Sequence, residues 1–232
     1  LQLREVDQKP LRQIGGNLLY MVILIGMGTL FLISYRPRIF HDNLQLGIIC
    51  ALLLLIGLMA FVTMMIRSTL PIEFLILLPF FAIIISILFD SRTAFRWLVI
   101  AVLMVAGIRG NDFTIAIAGL AAGVLAIFTV RDIKSRTQLF RSIAFSMLGY
   151  TIAILALGLE RADSIADMSL QLGFAAINAV ISPVLTFGVI LLIEILFNVA
   201  TDLKLLEYDD LNHPLLRALA DKAPGTYQHT LT

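Results

Sequence analysis

Seven apolar segments constrain the fold of this chain more than any other feature. A helix that crosses a bilayer needs about 20 mostly apolar residues. The segments cover residues 18–35, 44–66, 72–89, 94–108, 113–130, 143–159 and 176–200. Only 14% of the 232 residues are charged, against about 25% in an average soluble domain. The predicted fold class is therefore all-α integral membrane, a seven-transmembrane helix bundle with a short cytoplasmic helical tail.

The fourth segment, residues 94–108, is the shortest, and it decides where the two ends of the chain lie. Seven crossings place the ends on opposite sides of the membrane. If the fourth segment were a re-entrant or surface helix, the ends would lie on the same side. The sequence alone leaves this choice open.

Basic residues in the loops predict the orientation, because short loops rich in Lys and Arg stay in the cytoplasm. Loops one, three and five carry eight of them, and loops two, four and six carry three. The eight are Arg36, Arg38, Arg92, Arg96, Arg131, Lys134, Arg136 and Arg141, and the three are Arg67, Arg109 and Arg161. We expect the N-terminus outside and the C-terminus in the cytoplasm. The net charge of +1 favours no nucleic-acid partner.

Two glycines in the fifth segment predict a close helix contact. Gly119 and Gly123 lie in "GLAAG", a GxxxG spacing that puts both on one helix face. That face packs either within the bundle or against a second copy in a homo-oligomer. Pro79 and Pro183 each remove a backbone donor inside an apolar segment, which predicts kinks.

Glu194 is an ionisable residue within the seventh segment, "VILLIEILFNVATD". Such residues are candidates for function. Two roles are open for Glu194. It is either a structural anchor or hinge near the cytoplasmic interface, or a site that binds a ligand or a proton. Before this segment, Ile165, Met168 and Leu172 recur at helical spacing, which fits either a short amphipathic helix on the outer surface or a plain loop.

The alternative function is a multi-pass transporter or channel, which needs polar side chains along several spans. Glu194 and hydroxyls such as Thr151 and Ser182 give it little support, and no internal repeat marks a transporter. The chain has no phosphate-binding loop, no His-Glu-x-x-His and no paired His/Cys metal spacing.

The polar C-terminal stretch predicts a short helix, a break and a new helix start. Asp209, Asp210 and Asn212 supply capping oxygens, and Pro214 suits a first helical position. The "APG" at residues 223–225 ends that helix, and Thr226 can cap the next one.

This stretch carries a resemblance to a known family. "TDLKLLEYDDLNHPLLRALADKAPGTYQHTLT" resembles the junction in bacterial seven-transmembrane receptors with an intracellular HD hydrolase, and "LFDSRTAF" is close to a loop of that family. The resemblance implies an extracellular domain before Leu1, an HD phosphohydrolase after Thr232, the bacterial inner membrane as location, and cyclic di-AMP as substrate. The chain would then be a piece of a longer protein that couples or merely anchors the two outer parts.

The resemblance also implies the division of the chain. Residues 1–17 form an extracellular juxtamembrane linker, 18–200 the bundle, 201–224 a cytoplasmic linker with a connecting helix, and 225–232 the start of the HD domain. The candidates for structural coupling are Glu194, Asp202, Asp210, His213 and Pro214.

One metal ligand follows from the family pattern "A-P-G-T-Y-H-H-S". Its second His falls on His229, while Gln228 departs from the first. An HD domain holds divalent metals, here expected to be Mn or Fe, and a metal-bound water attacks a phosphodiester. A catalytic metal needs several ligands, so this stretch alone is expected to bind no metal tightly and to hydrolyse nothing.

Overall fold

The computed structural model describes residues 2–66, 68–130 and 140–197, and the side chains among them from Gly15 to Ile193. Every regular element in these ranges is helical. The α-helices are α1 (Gln2–Tyr35), α2 (Pro37–His41), α3 (Asn43–Met65), α4 (Leu78–Leu88), α5 (Ser91–Ile108), α6 (Phe113–Val130), α7 (Arg141–Arg161) and α8 (Ile165–Phe197), and a 3-10 helix covers Ile72–Leu75. The predicted all-α membrane fold is confirmed.

Two ion pairs mark the opposite ends of the bundle. Arg36 follows α1 and Asp90 precedes α5, and their charged groups lie 2.5 Å apart. This end of the bundle is called the Asp90 face. Arg109, after α5, pairs with Glu73 at 3.3 Å, and this end is called the Arg109 face. The 18 residues of α5 between them rise about 27 Å, close to the ~30 Å of a bilayer's hydrocarbon core.

The third apolar segment is the short one, and it still joins the two faces. It leaves the Arg109 face at Glu73 as the 3-10 helix, continues as α4, and reaches the Asp90 face. Every residue from Leu78 to Ile87 is buried, so protein rather than lipid surrounds it. Six of the described helices are long and apolar enough to span on their own. With this compact third segment, the chain makes the seven crossings predicted.

The fourth segment forms a complete spanning helix, which answers the question left open by its length. It begins at Ser91, three residues earlier than the apolar pattern suggested, because Asp90 caps it. The Asp90 carboxylate accepts hydrogen bonds from the main-chain N–H groups of Arg92 and Thr93, both at 2.9 Å. Such capping satisfies donors that a helix start otherwise leaves free.

The seventh crossing begins earlier than predicted. Residues 165–175 form neither a separate surface helix nor a plain loop, because α8 runs without interruption from Ile165 to Phe197. Met168 is buried against Gly158 of α7, which fixes this first part of α8 to the bundle. Pro183 lies inside α8, whereas Pro79 stands in the first turn of α4, where no backbone donor is needed and no kink results.

The buried α4 lies at the centre of the bundle, in contact with α3, α5, α6 and α8. α6 lies between α4 and α5 on one side and α7 on the other. α1 and α3 pack on α5 at the periphery and expose large apolar side chains. Those of α1 include Leu18, Leu19, Val22, Ile23, Met27 and Leu30. This arrangement suits lipid as the surrounding solvent.

Candidate functional site

The third crossing is interrupted between its 3-10 helix and α4, at Ile76 and Leu77. A break inside a membrane bundle leaves main-chain groups outside a regular helix, and such backbone is tolerated where protein can satisfy them. Asn178 of α8 supplies the donors. Its side-chain nitrogen lies 2.6 Å from the main-chain oxygen of Phe74 and 2.8 Å from that of Ile76. One asparagine thus holds the break to the seventh crossing.

The contacts of Asn178 extend over three crossings. The Tyr150 hydroxyl of α7 lies 3.1 Å from the same side-chain nitrogen, whose two hydrogens are shared among three acceptors, and the Asn178 oxygen accepts from the Ser182 hydroxyl at 2.7 Å. Thr186 donates to the main-chain oxygen of Ser182 at 2.8 Å. All four side chains are fully buried. Burial strengthens such bonds and makes their loss costly, so this polar junction fixes the relative positions of the third crossing, α7 and α8.

A cationic group at the Arg109 face joins three crossings. The Arg109 guanidinium donates to the hydroxyl of Thr63 at 3.0 Å and to the carboxylate of Glu73 at 3.3 Å, and the Asp112 carboxylate lies 3.6 Å away. Its side chain is only 14% exposed. Arg109 is therefore a neutralised structural group rather than a free positive charge. On the same face Arg161 of α7 donates to Thr114 of α6.

At the Asp90 face, α1 is held against α5 by charge and by aromatic contact. Asp90 accepts from Arg36 and also from the hydroxyl of Thr93 at 2.9 Å. The guanidinium of Arg96 lies 4.2 Å from the ring centre of Phe31 and 5.1 Å from that of Tyr35. Cations attract ring faces at such distances. These contacts tie the end of the first crossing to the start of the fourth.

Close packing around α6 depends on glycine. A side-chain carbon added at Gly119 would collide with Leu78 of α4, and one at Gly123 would lie 2.6 Å from Leu98 of α5. At Gly149 of α7 such a carbon would lie 2.7 Å from the main chain of Ala121, which cannot turn aside as a side chain can. The face of Gly119 and Gly123 is thus occupied within the chain, so a homo-oligomer would have to use another face.

The other candidate residues lie at the edge of the described ranges or outside them. Glu194 belongs to α8, but its side chain is not among those described. Asp202, Asp210, His213, Pro214 and His229 all lie outside the described residues. Within the described part of the chain, no three His, Cys, Asp or Glu side chains come together in a way that could hold a metal.

The hydroxyls that favoured a transporter are engaged in local bonds. Thr151 donates to the main-chain oxygen of Met147 at 2.8 Å, and Ser182 is bonded to Asn178. Sequence analysis singled out neither Asn178 nor Tyr150. One signal was available: Asn178, Ser182 and Thr186 follow each other at intervals of four, which places three polar side chains on one face of an apolar helix.

Seven crossings around a buried polar junction define a polytopic helical membrane domain. Residues 11–201 match the family model described as "7TM receptor with intracellular HD hydrolase". The chain belongs to this family.

Two curated relatives are similar to the chain. The cyclic-di-AMP phosphodiesterase PgpH of Listeria monocytogenes serotype 1/2a (strain 10403S) is 29% identical over 237 aligned residues, which cover 97% of this chain and 32% of the relative. PgpH of Bacillus subtilis (strain 168) is 26% identical over 160 residues, covering 65% of this chain and 22% of the relative. The chain thus spans about a third or less of the length of these relatives. No solved structure matches it.

Proposed function

We propose that this chain is the membrane domain of a receptor-linked phosphodiesterase, and that it passes a signal from an outer domain to an HD hydrolase that degrades cyclic di-AMP. The substrate is the one named for both curated relatives. The observation that carries the coupling role is the attachment of α8 to the break in the third crossing through Asn178.

A continuous series of contacts supports coupling. α1 begins at Gln2 and ends beside Arg36, which pairs with Asp90 at the junction of α4 and α5. The third crossing runs from that junction to its break, where Asn178 of α8 is bonded. A displacement of α1 therefore has a packed route to α8. Coupling further requires two bundle arrangements that the signal populates differently.

In this proposal the Asp90 face is cytoplasmic. The odd loops carry eight basic residues in the sequence, and the five that the structure describes lie at this face: Arg36, Arg38, Arg92, Arg96 and Arg141. On the opposite face Arg109 is neutralised by carboxylates. Residues 1–17 then form the extracellular linker, 18–200 the bundle, 201–224 the cytoplasmic linker and 225–232 the start of the HD domain. The residues proposed to connect the seventh crossing to the HD domain are Glu194, Asp202, Asp210, His213 and Pro214.

In the whole protein, His229 would be one ligand of the divalent metals, Mn or Fe, that activate water in the HD domain. His229 is adjacent to Gln228, where the family pattern has a further His. In this proposal the catalytic groups belong to the HD domain. The surroundings of the bundle are the lipid bilayer, its own outer domain and the HD domain.

The test uses the full-length protein in lipid nanodiscs with Mn²⁺ and cyclic di-AMP. We expect hydrolysis that His229→Ala lowers at least about 100-fold, because loss of a metal ligand exceeds the 10- to 100-fold cost of losing a supporting group. Failure of the unmodified protein to cleave cyclic di-AMP would overturn the enzymatic proposal.

The coupling role is tested separately with Asn178→Leu and the neighbouring control Ile177→Leu, whose side chain is half exposed. We expect Asn178→Leu to change the hydrolysis rate at least threefold while the control leaves it unchanged. Equal rates for both variants, with both proteins folded, would reduce the bundle to a passive anchor. Ion or solute flux in sealed liposomes would favour the transporter instead.

A further inference from the structure

An apolar crevice of about 280 Å³ opens on the side of the bundle between α1 and α6, with α5 as its floor. Val99, Val102, Leu103 and Ala106 of α5 line the floor, and Tyr20 of α1 and Ala116, Ile117 and Leu120 of α6 line the walls. Asn111 and Phe113 stand at the end nearest the Arg109 face. The crevice lies within crossings that lipid surrounds, so its surroundings are hydrocarbon rather than water.

The depth of the crevice matches the hydrocarbon thickness of one leaflet of the bilayer. Its lining on α5 runs from Val99 to Ala106, about 10 Å at 1.5 Å per residue, and Asn111 continues it to the face. Half of a hydrocarbon core is about 15 Å. The crevice therefore begins at the Arg109 face and ends near the middle of the membrane, as an acyl chain of that leaflet does.

Its volume also fits a chain rather than a bulky ring system. An apolar cavity of about 150 Å³ is sufficient for benzene, so 280 Å³ has room for roughly ten to twelve chain carbons. The lining is aliphatic and aromatic apart from the Tyr20 hydroxyl and Asn111. The Tyr20 hydroxyl already donates to the main-chain oxygen of Leu103 at 2.7 Å. Such walls favour a saturated segment, and the exposed Asn111 lies where a polar headgroup would begin.

Tyr20 of α1 both lines the crevice and packs against α5, so occupancy of the crevice bears on the position of α1. Its ring packs so closely on Gly107 of α5 that a side-chain carbon there would collide with it. A chain in the crevice would touch the same ring and fill the space between α1 and α6. Its presence would stabilise this seating of α1, and its absence would leave the gap unfilled, with loss of contacts along its walls.

We propose that the crevice binds one acyl chain of a phospholipid from the leaflet at the Arg109 face, and that this chain supports the seating of α1 on α5. The proposal needs only the crevice and the membrane location of the bundle. It stands or falls independently of hydrolase activity.

The test uses the full-length protein in phosphatidylglycerol nanodiscs that contain a phospholipid with a photoreactive diazirine in one chain. A probe near the headgroup should label Phe113, and a probe near the chain end should label Val99 or Leu120. Ala116→Phe, which fills the crevice, should lower labelling of Leu103 and Leu120 at least fivefold. The control Ala51→Phe, on the exposed surface of α3, should leave it unchanged. Melting in nanodiscs identifies variants that fail to fold, and Val99→Phe serves as a second filling variant.

Several results would overturn the proposal. Labelling spread evenly over the exposed faces of α1, α3 and α8, without order by depth, would show ordinary lipid contact. Labelling unchanged in folded Ala116→Phe and Val99→Phe would place the chain elsewhere. Displacement of the probe by an equimolar free fatty acid would identify a free amphiphile as occupant, and cross-links between two copies across the crevice would identify a dimer contact.

Discussion

The side-chain nitrogen of Asn178 lies 2.6 Å from the main-chain oxygen of Phe74, so the seventh crossing satisfies a carbonyl at the break of the third. The two residues are 104 positions apart in the chain. This contact explains how a short, interrupted segment can lie at the centre of a membrane bundle. It also makes the position of α8 dependent on that of the third crossing.

Replacing Asn178 by leucine should destabilise the bundle. The carbonyls of Phe74 and Ile76 would both lose their side-chain donor in a buried site. Ile76 would keep the bond from the Leu78 main-chain N–H at 2.7 Å, and an unsatisfied buried group such as the Phe74 carbonyl costs about 1–3 kcal/mol. Tyr150→Phe removes one weaker partner and should cost about 0.6 kcal/mol, the typical value for a polar contact between membrane helices. Reversible unfolding in bicelles measures the change in unfolding free energy for both variants. An Asn178→Leu protein as stable as Ile177→Leu would contradict the role of this junction.

Gly149→Ala should be more damaging than Gly119→Ala. The new methyl group at Gly149 would meet the main chain of Ala121, which cannot move alone, whereas at Gly119 it would meet the end of the Leu78 side chain, which can rotate away. Overpacking of this kind costs about 1–3 kcal/mol.

The matched control for this pair is Gly173→Ala, because beyond its chain neighbours and its own helix backbone no atom lies within 4 Å of the added carbon. It should be neutral or stabilise by up to ~1 kcal/mol through helix propensity. Thermal unfolding of Gly149→Ala, Gly119→Ala and Gly173→Ala in the same detergent gives the order of their stabilities. If Gly173→Ala were the most destabilising, the assigned packing of α6 and α7 would be wrong.

Asp90→Ala should destabilise more than Arg36→Ala. Arg36 is 44% exposed on its side chain, and exposed ion pairs contribute about 0–1 kcal/mol. Asp90 also caps α5 through the N–H groups of Arg92 and Thr93, and loss of a cap costs about 0.5–2 kcal/mol. Asp90→Asn keeps most of the cap, so its loss of stability should lie between those of Arg36→Ala and Asp90→Ala. Unfolding free energies measured at low and high salt separate the ion pair from the cap, since salt screens the exposed pair more strongly than the short hydrogen bonds of the cap.

Thiol labelling of intact cells should establish which face is outside. In a Cys50→Ser background, Glu160→Cys at the Arg109 face should react with a membrane-impermeant maleimide, and Arg38→Cys at the Asp90 face should react only after the cells are permeabilised. Both native side chains are exposed in the structure. The reverse pattern would place the Arg109 face in the cytoplasm and overturn the predicted orientation.

Local composition determined the class of the protein and the number of crossings. Each crossing is a continuous apolar run, and the cost of placing backbone and charge in hydrocarbon acts on every run by itself, so hydropathy alone predicts it. The family resemblance of the C-terminal stretch likewise depended on contiguous residues. The GxxxG spacing predicted a close contact of α6 but not whether Leu78, Leu98 or a second copy would fill it.

Tertiary structure decided which crossing is short, buried and broken. Residues 72–89 are as apolar as their neighbours, and nothing in that run states that its carbonyls will be satisfied by a side chain far along the sequence. The same limit applied to Arg109 and Glu73, which are 36 positions apart and form a pair only because α3, α5 and the third crossing meet at one face. Contacts between distant segments depend on how the helices pack together, and hydropathy summed along one segment carries no information about its neighbours.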